Sequence, residues 1–216
     1  MIENILFDLD GTLTDPKVGI TRCIQFSLEH FDVQVPEADD LTWCIGPPLR
    51  ESFSHLLNTA DDDKLDLALA HYRKRFSEIG IFENIVFPEI PKSLERIKGS
   101  GFRIYLATSK PRVFAEQILD HFKLIQFFDT VYGAELNGSL VDKGELIAHI
   151  IESEGLDPER SLMVGDRVYD IAGGKENGIM TAAVSYGYGS MDEIISSKPD
   201  LIFDKFSDLL DFLKIT

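Results

Sequence analysis

The segment Asp8-Leu9-Asp10-Gly11-Thr12 places two carboxylates two residues apart, directly after a short apolar run from Asn4 to Phe7. In an extended segment, residues i and i+2 point the same way, so Asp8 and Asp10 can project together beyond a strand end. Two acids so placed repel each other. A magnesium ion, which prefers oxygen ligands and typically takes one or two carboxylates plus substrate phosphate, would neutralise them. The same residues also read as a strand followed by an ordinary Asp-Gly turn, and the segment alone leaves both readings open.

Such a pair needs a scaffold, and the chain carries one. Three further apolar runs end in polar or glycine-containing sequence: Arg103 to Ala107 before Thr108-Ser109-Lys110, Ser161 to Val164 before Gly165-Asp166, and Met180 to Val184 before Ser185-Tyr186-Gly187. Asp129 to Tyr132 and Leu201 to Phe203 are weaker strand candidates. Helical spacing lies between them, as in Phe114, Ile118 and Phe122, or Leu146, Ile150 and Ile151. The alternation from residue 90 onward predicts an α/β fold, a Rossmann-like parallel sheet with helices on both faces. Ligands of such sheets bind beyond the carboxyl ends of the strands, where the polar segments would converge.

Residues 15–82 break this rhythm and read as a small helical domain inserted after the first strand, leaving 1–14 and 83–216 as the core. Asp15 with Pro16 suits an N-cap and first turn, and Ile20, Ile24, Leu28 and Phe31 give the following helix an apolar stripe. Leu65, Leu69, Tyr72, Phe76 and Ile79 form a second one. Pro36 to Asp40 and Gly46-Pro47-Pro48 are internal turns. Trp43, beside Cys44 and Ile45, is expected in the interior of this insert rather than as a substrate platform. The five histidines, His30, His55, His71, His121 and His149, show no metal-like pairing and are expected at the surface or in helix packing.

Composition narrows the function. With 216 residues, 44% hydrophobic and 27% charged, the chain is expected to be soluble and to build a sizeable core without disulfides or a structural metal. Acids outnumber bases 37 to 21, a net charge of -16. That field disfavours nucleic-acid polymers and anionic membranes. It also repels a small phosphorylated metabolite, so a site for one must supply its own positive charge. Cys23 and Cys44 lack CxxC spacing and are expected to be buried thiols. The N-terminus carries acids within its apolar run, unlike a signal or transit peptide, and no apolar run approaches the roughly 20 residues of a spanning helix. The expectation is a cytoplasmic protein.

Asp8 to Asp15, DLDGTLTD, resembles the first motif of the haloacid-dehalogenase-like superfamily, and three further motifs follow in order. Leu106-Ala107-Thr108-Ser109-Lys110 resembles the second, Lys143 lies in the region of the third, and Gly165-Asp166-Arg167-Val168-Tyr169-Asp170 resembles the fourth, an acidic GDxxxD loop. The resemblance implies a phosphatase in which Asp8 attacks phosphorus to form an aspartyl-phosphate and Asp10 serves as general acid and base. It implies a magnesium ion held by Asp8, the backbone carbonyl of Asp10 and Asp166. Thr108 and Lys143 would be donors to the phosphoryl group, and Asp170 would position Lys143 and the metal water. Ser109 is a candidate substrate contact, and Lys110 is either a site residue or a loop residue opening a helix.

Asp10 argues against the dehalogenases and phosphonatases, whose reactions need no proton on a leaving oxygen, and DLDGT does not match the DKTGT of ion-pumping ATPases. The insert, and Ile45-Gly46-Pro47-Pro48-Leu49 within it, is similar to the cap of the phosphoglycolate phosphatase-like branch. The stretch Gly11 to Lys17 looks like relatives described as 5'-nucleotidases. Caps of this kind close over the site and choose the substrate. Arg50, near the start of a cap helix, is a candidate reader of the leaving group, against the favoured reading of a surface arginine paired with an acid. A β-phosphoglucomutase-like phosphotransferase and a non-catalytic phosphometabolite-binding relative are the alternatives; oligomeric state is not specified by the sequence.

Overall fold

The computed structural model describes residues 1–215. The chain divides into two compact units, Met1–Asp15 with Val86–Thr216, and Pro16–Ile85. In chain order the strands are β1 (Asn4–Phe7), β2 (Thr14–Asp15), β3 (Ile85–Val86), β4 (Arg103–Pro111), β5 (Thr130–Ala134), β6 (Ser161–Gly165), β7 (Met180–Val184) and β8 (Leu201–Phe203). The helices are α1 (Lys17–Leu28), α2 (Leu49–Leu56), α3 (Asp62–Glu78), α4 (Ile90–Gly99), α5 (Arg112–His121), α6 (Lys143–Glu154), α7 (Val168–Glu176), α8 (Met191–Ser197) and α9 (Ser207–Phe212).

The first unit is built on one six-stranded parallel sheet of order β5-β4-β1-β6-β7-β8. The chain starts in the middle at β1, builds outward through β4 and β5, then returns to build outward on the other side from β6. The reversal of direction beside β1 opens a crevice at its carboxyl end. Every residue of β1 and of β6 is buried, as expected of strands covered on both faces. Leu6, Tyr105, Ala107 and Met163 pack with Leu146, Ile147 and Ile150 of α6. On the other side of the pleat, the Phe7 ring lies 5.6 Å from that of Phe206, just before α9. Truncating a residue such as Leu6 to alanine should cost about 2–5 kcal/mol.

In the second unit, α1 packs against α3 and α3 against α2. Ile20, Ile24 and Leu28 are buried, as are Leu65, Ala68, Tyr72 and Phe76, so both stripes face one small core. Ile79 is 51% exposed because α3 ends at Glu78, and Phe31 lies beyond the end of α1. Trp43 is 40% exposed, against expectation. It belongs to a 3-10 segment, Ala38–Cys44, whose three-residue turn points Leu41 and Cys44 inward and leaves Trp43 off that face, edge-on to His55.

The N-cap position of α1 falls on Pro16, one residue later than the expected Asp15. Pro16 makes no side-chain cap bond, and the Asp15 carboxylate accepts a hydrogen bond from the Tyr188 hydroxyl. Both cysteines are buried thiols. Among the described residues, no helix is long and apolar enough to cross a membrane.

Candidate active site

Phe7 of β1 pairs with Leu106 of β4 and Val164 of β6, so the next residue, Asp8, leaves the sheet between Ala107 and Gly165. Its N–H donates to the Val164 carbonyl at 2.9 Å, extending the ladder by one bond before the chain turns. The side chain is buried at the carboxyl edge of the sheet, 5% exposed.

Lys143 meets it from α6, whose N-cap Asp142 accepts from the Glu145 N–H at 2.9 Å. The Lys143 Nζ lies 2.9 Å from Asp8 Oδ1, 2.7 Å from the Ala107 carbonyl and 2.8 Å from Asp170 Oδ1. Burial alone would push a lysine toward neutrality, but Asp170 and Asp8 outweigh it and hold Lys143 above the ordinary lysine range. It is a buried cation in a protein whose net charge is -16. Asp170, in turn, is pushed up to about 6, chiefly by burial and with help from Asp8, despite the opposing Lys143.

Asp166 directly follows β6 and is fully buried. Thr12 Oγ1 donates to its Oδ1 at 3.2 Å and the Tyr188 N–H to its Oδ2 at 2.7 Å. Two glycines make this packing possible. Gly11 has φ +87° and a Cβ there would stand 2.2 Å from Asp166 Oδ2; at Gly187 it would stand 2.3 Å from Asp166 Cβ. Burial, then repulsion from Asp8 and Asp170, pushes Asp166 well above the ordinary carboxylate range. The ligand oxygens of Asp8, Asp166 and Asp170 lie within 4.8 Å of one another, and all three side chains are buried. Three crowded buried carboxylates against one lysine leave a deficit of positive charge. An all-oxygen donor set of this kind suits a hard divalent cation.

Asp10 projects beside this cluster. Its Oδ2 lies 2.6 Å from Lys110 Nζ, while Oδ1 is buried without a hydrogen-bond partner. Burial raises its pKa, with Lys110 pulling the other way. Thr108 is buried, and its Oγ1 accepts the Lys110 N–H at 3.2 Å, leaving the hydroxyl proton to be donated elsewhere. Ser109 donates to the Val141 carbonyl at 3.0 Å and so ties β4 to the segment leading into Lys143. Arg50 lies in the other unit, where it pairs with Asp62 at 2.6 Å and with Asp66.

The residues that sequence reading left out are those holding Asp166: Thr12, Tyr188 and Gly187. Thr12 sits inside the quoted DLDGT run and could have been suspected; Tyr188 offered no signal, because its contribution is a backbone N–H. Lys110, for which the sequence allows a site or a loop role, lies on Asp10.

A parallel sheet switching direction at a strand that ends in a buried aspartate, with a lysine and two further acids around it, defines a hydrolase fold of known type. The chain belongs to the haloacid dehalogenase-like hydrolase family, whose model matches residues 5–184. It is 46% identical over 196 residues to a Pseudomonas aeruginosa protein named 5'-nucleotidase, covering 91% of this chain and 88% of that one. A phosphoglycolate phosphatase from Aquifex aeolicus is 31% identical over 206 residues, covering 95% of this chain and 94% of its own. The crystal structure of a predicted phosphatase from Clostridium acetobutylicum superposes with a TM-score of 0.95 at 38% identity and covers 99% of both chains.

Proposed function

We propose that the chain is a magnesium-dependent phosphatase that hydrolyses a small-molecule phosphate monoester through an aspartyl-phosphate on Asp8. The supporting observation is the surroundings of Asp8: a buried lysine 2.9 Å away, and the buried carboxylates of Asp166 and Asp170 near enough for the cluster to hold an ion. A carboxylate attacks an anionic phosphate only where that charge is offset. The Asp8 and Asp166 carboxylates with the Asp10 carbonyl would hold the ion, and Asp170 would orient Lys143 and the metal water. When bound, the ion would offset the repulsion between nucleophile and phosphate and fix their alignment.

The protein's residues divide the remaining work. An Asp8 oxygen attacks phosphorus in line with the ester oxygen. Lys143, fully charged, and the Thr108 hydroxyl take the charge building on the equatorial oxygens. Asp10, buried and raised toward its protonated form, gives a proton to the leaving oxygen and later takes one from the water that hydrolyses the aspartyl-phosphate. Ser109 is proposed beside them as a substrate contact, its hydroxyl also holding the segment before Lys143.

The helical insert, read from the sequence as 15–82 and forming the compact unit Pro16–Ile85, is proposed as the cap that selects the leaving group, with Arg50 as its candidate reader. The Pseudomonas relative named 5'-nucleotidase favours a nucleoside monophosphate as the first substrate class to try, and the Aquifex relative phosphoglycolate as the second. Buried reduced cysteines fit a cytoplasmic setting. The test is phosphate release from a panel of monoesters with and without magnesium. Magnesium-dependent release is expected, with the best natural ester well ahead of p-nitrophenyl phosphate. No release from any monoester, or isomerisation of a sugar phosphate in its place, would remove the reading.

A further inference from the structure

We infer that Lys110 is a positioning residue for Asp10: it holds Oδ2 of that carboxylate and so assigns Oδ1 as the oxygen that exchanges the proton with substrate and water. This rests on the phosphatase reading given above.

Lys110 Nζ lies 2.6 Å from Asp10 Oδ2, and the two side chains are 6% and 11% exposed, so the pair is shielded from solvent. Charge-assisted contacts of this length and burial are the strong ones. The other oxygen, Oδ1, is buried and has no hydrogen-bond partner. A carboxylate otherwise turns about its last torsion between two nearly equivalent positions. With Lys110 on one oxygen that exchange is suppressed.

Lys110 can do this because its own backbone is fixed. The pairing of β4 with β5 shifts register between Thr108 and Pro111, the Lys110 N–H is held by Thr108 Oγ1 at 3.2 Å, and its carbonyl packs where a Cβ on Gly133 would be only 2.6 Å away. Lys143 already serves the phosphoryl side from Asp8, so the two buried lysines divide the site between them.

The steps balance as follows. An Asp8 oxygen bonds to phosphorus while the phosphorus–ester bond breaks, its electron pair going to the ester oxygen, which takes the proton from Asp10 Oδ1. The alcohol leaves. A water oxygen then bonds to phosphorus while its proton goes to Asp10 Oδ1 and the bond from Asp8 to phosphorus breaks, releasing phosphate and restoring both acids.

The experiment is a double-mutant cycle on an alkyl phosphate that the wild type hydrolyses, using Lys110→Met, Asp10→Asn and the pair. K110M should lower kcat by about 10- to 100-fold, within the range of general acid–base help, with KM nearly unchanged. In the D10N background the same change should cost less than about twofold, because the group it positions is gone. Lys110→Arg should recover part of the loss. Losses that multiply in the double mutant, a rise in KM at constant kcat, or an unchanged kcat in K110M would each overturn the proposal. Should K110M not fold, Lys110→Gln carries the same cycle. A wild type that releases no phosphate defeats the phosphatase reading and this proposal together. An active wild type with multiplying losses defeats this proposal alone.

Discussion

The Lys143 ammonium bridges Asp8 and Asp170, at 2.9 and 2.8 Å, with all three side chains almost fully buried. Removing the cation leaves two uncompensated buried carboxylates, and breaking a buried pair in this way costs about 3–5 kcal/mol. Lys143→Met is therefore expected to lose stability on that scale at neutral pH in EDTA, by urea unfolding, and to lose nearly all turnover. A destabilisation below about 1 kcal/mol would mean that the pair behaves as a surface ion pair.

Asp8→Asn should fold normally and release no phosphate, because an amide neither attacks phosphorus nor carries the ligand charge. Circular dichroism and phosphate assays check both halves, and activity within about tenfold of wild type would defeat the covalent route. Asp10→Asn should suffer most with alkyl esters, whose leaving groups need a proton, and least with p-nitrophenyl phosphate. Equal losses on the two would take the acid role from Asp10.

Metal dependence follows from the donor set. EDTA should inactivate the protein and magnesium restore it. Asp166→Ala should need a far higher magnesium concentration for half-maximal rate, since it deletes a buried ligand. A magnesium titration identical to that of wild type would remove Asp166 from the metal's ligands.

The raised acids set a pH dependence whose sign is definite. A carboxyl whose folded pKa exceeds its unfolded value gives stability that is present below the unfolded pKa and lost as pH rises through the folded one. Asp170 is raised from 3.8 to about 6 and Asp166 is raised as well, so in EDTA their contribution falls as pH climbs from about 4 to beyond 6. Protons and a bound magnesium ion would compete for this cluster. Magnesium should therefore raise the melting temperature more at pH 7.5 than at pH 5, which differential scanning fluorimetry measures. A magnesium effect independent of pH across that interval would contradict the raised pKa values.

Arg50→Ala tests the cap. If the guanidinium reads the leaving group, kcat/KM for the best natural ester should fall about 10- to 100-fold while p-nitrophenyl phosphate is barely affected. If its role is limited to the ion pairs with Asp62 and Asp66, neither substrate should notice, because pairs this exposed contribute little.

Much of the frame was local in origin and hence legible. Apolar runs that end in acids and glycines specify buried parallel strands with polar tips, and this alone placed Asp8 and Asp166 directly after β1 and β6; Thr108, expected just past a strand ending at Ala107, instead lies inside β4, which runs on to Pro111. The spacing of Leu65, Tyr72 and Phe76 likewise specified one face of α3. Tertiary structure decided what depends on partners distant in sequence. Strand order brings Lys143 onto Asp8 across 135 residues, and no local pattern encodes that order. The Tyr188 hydroxyl donates to Asp15 across 173 residues, and a 3-10 rather than α-helical turn leaves Trp43 at the surface. The sequence leaves Lys110 open between a site residue and a loop lysine before a proline, and the sheet places it against Asp10. Its role comes from burial and one 2.6 Å contact, and both exist only once the chain has folded around them.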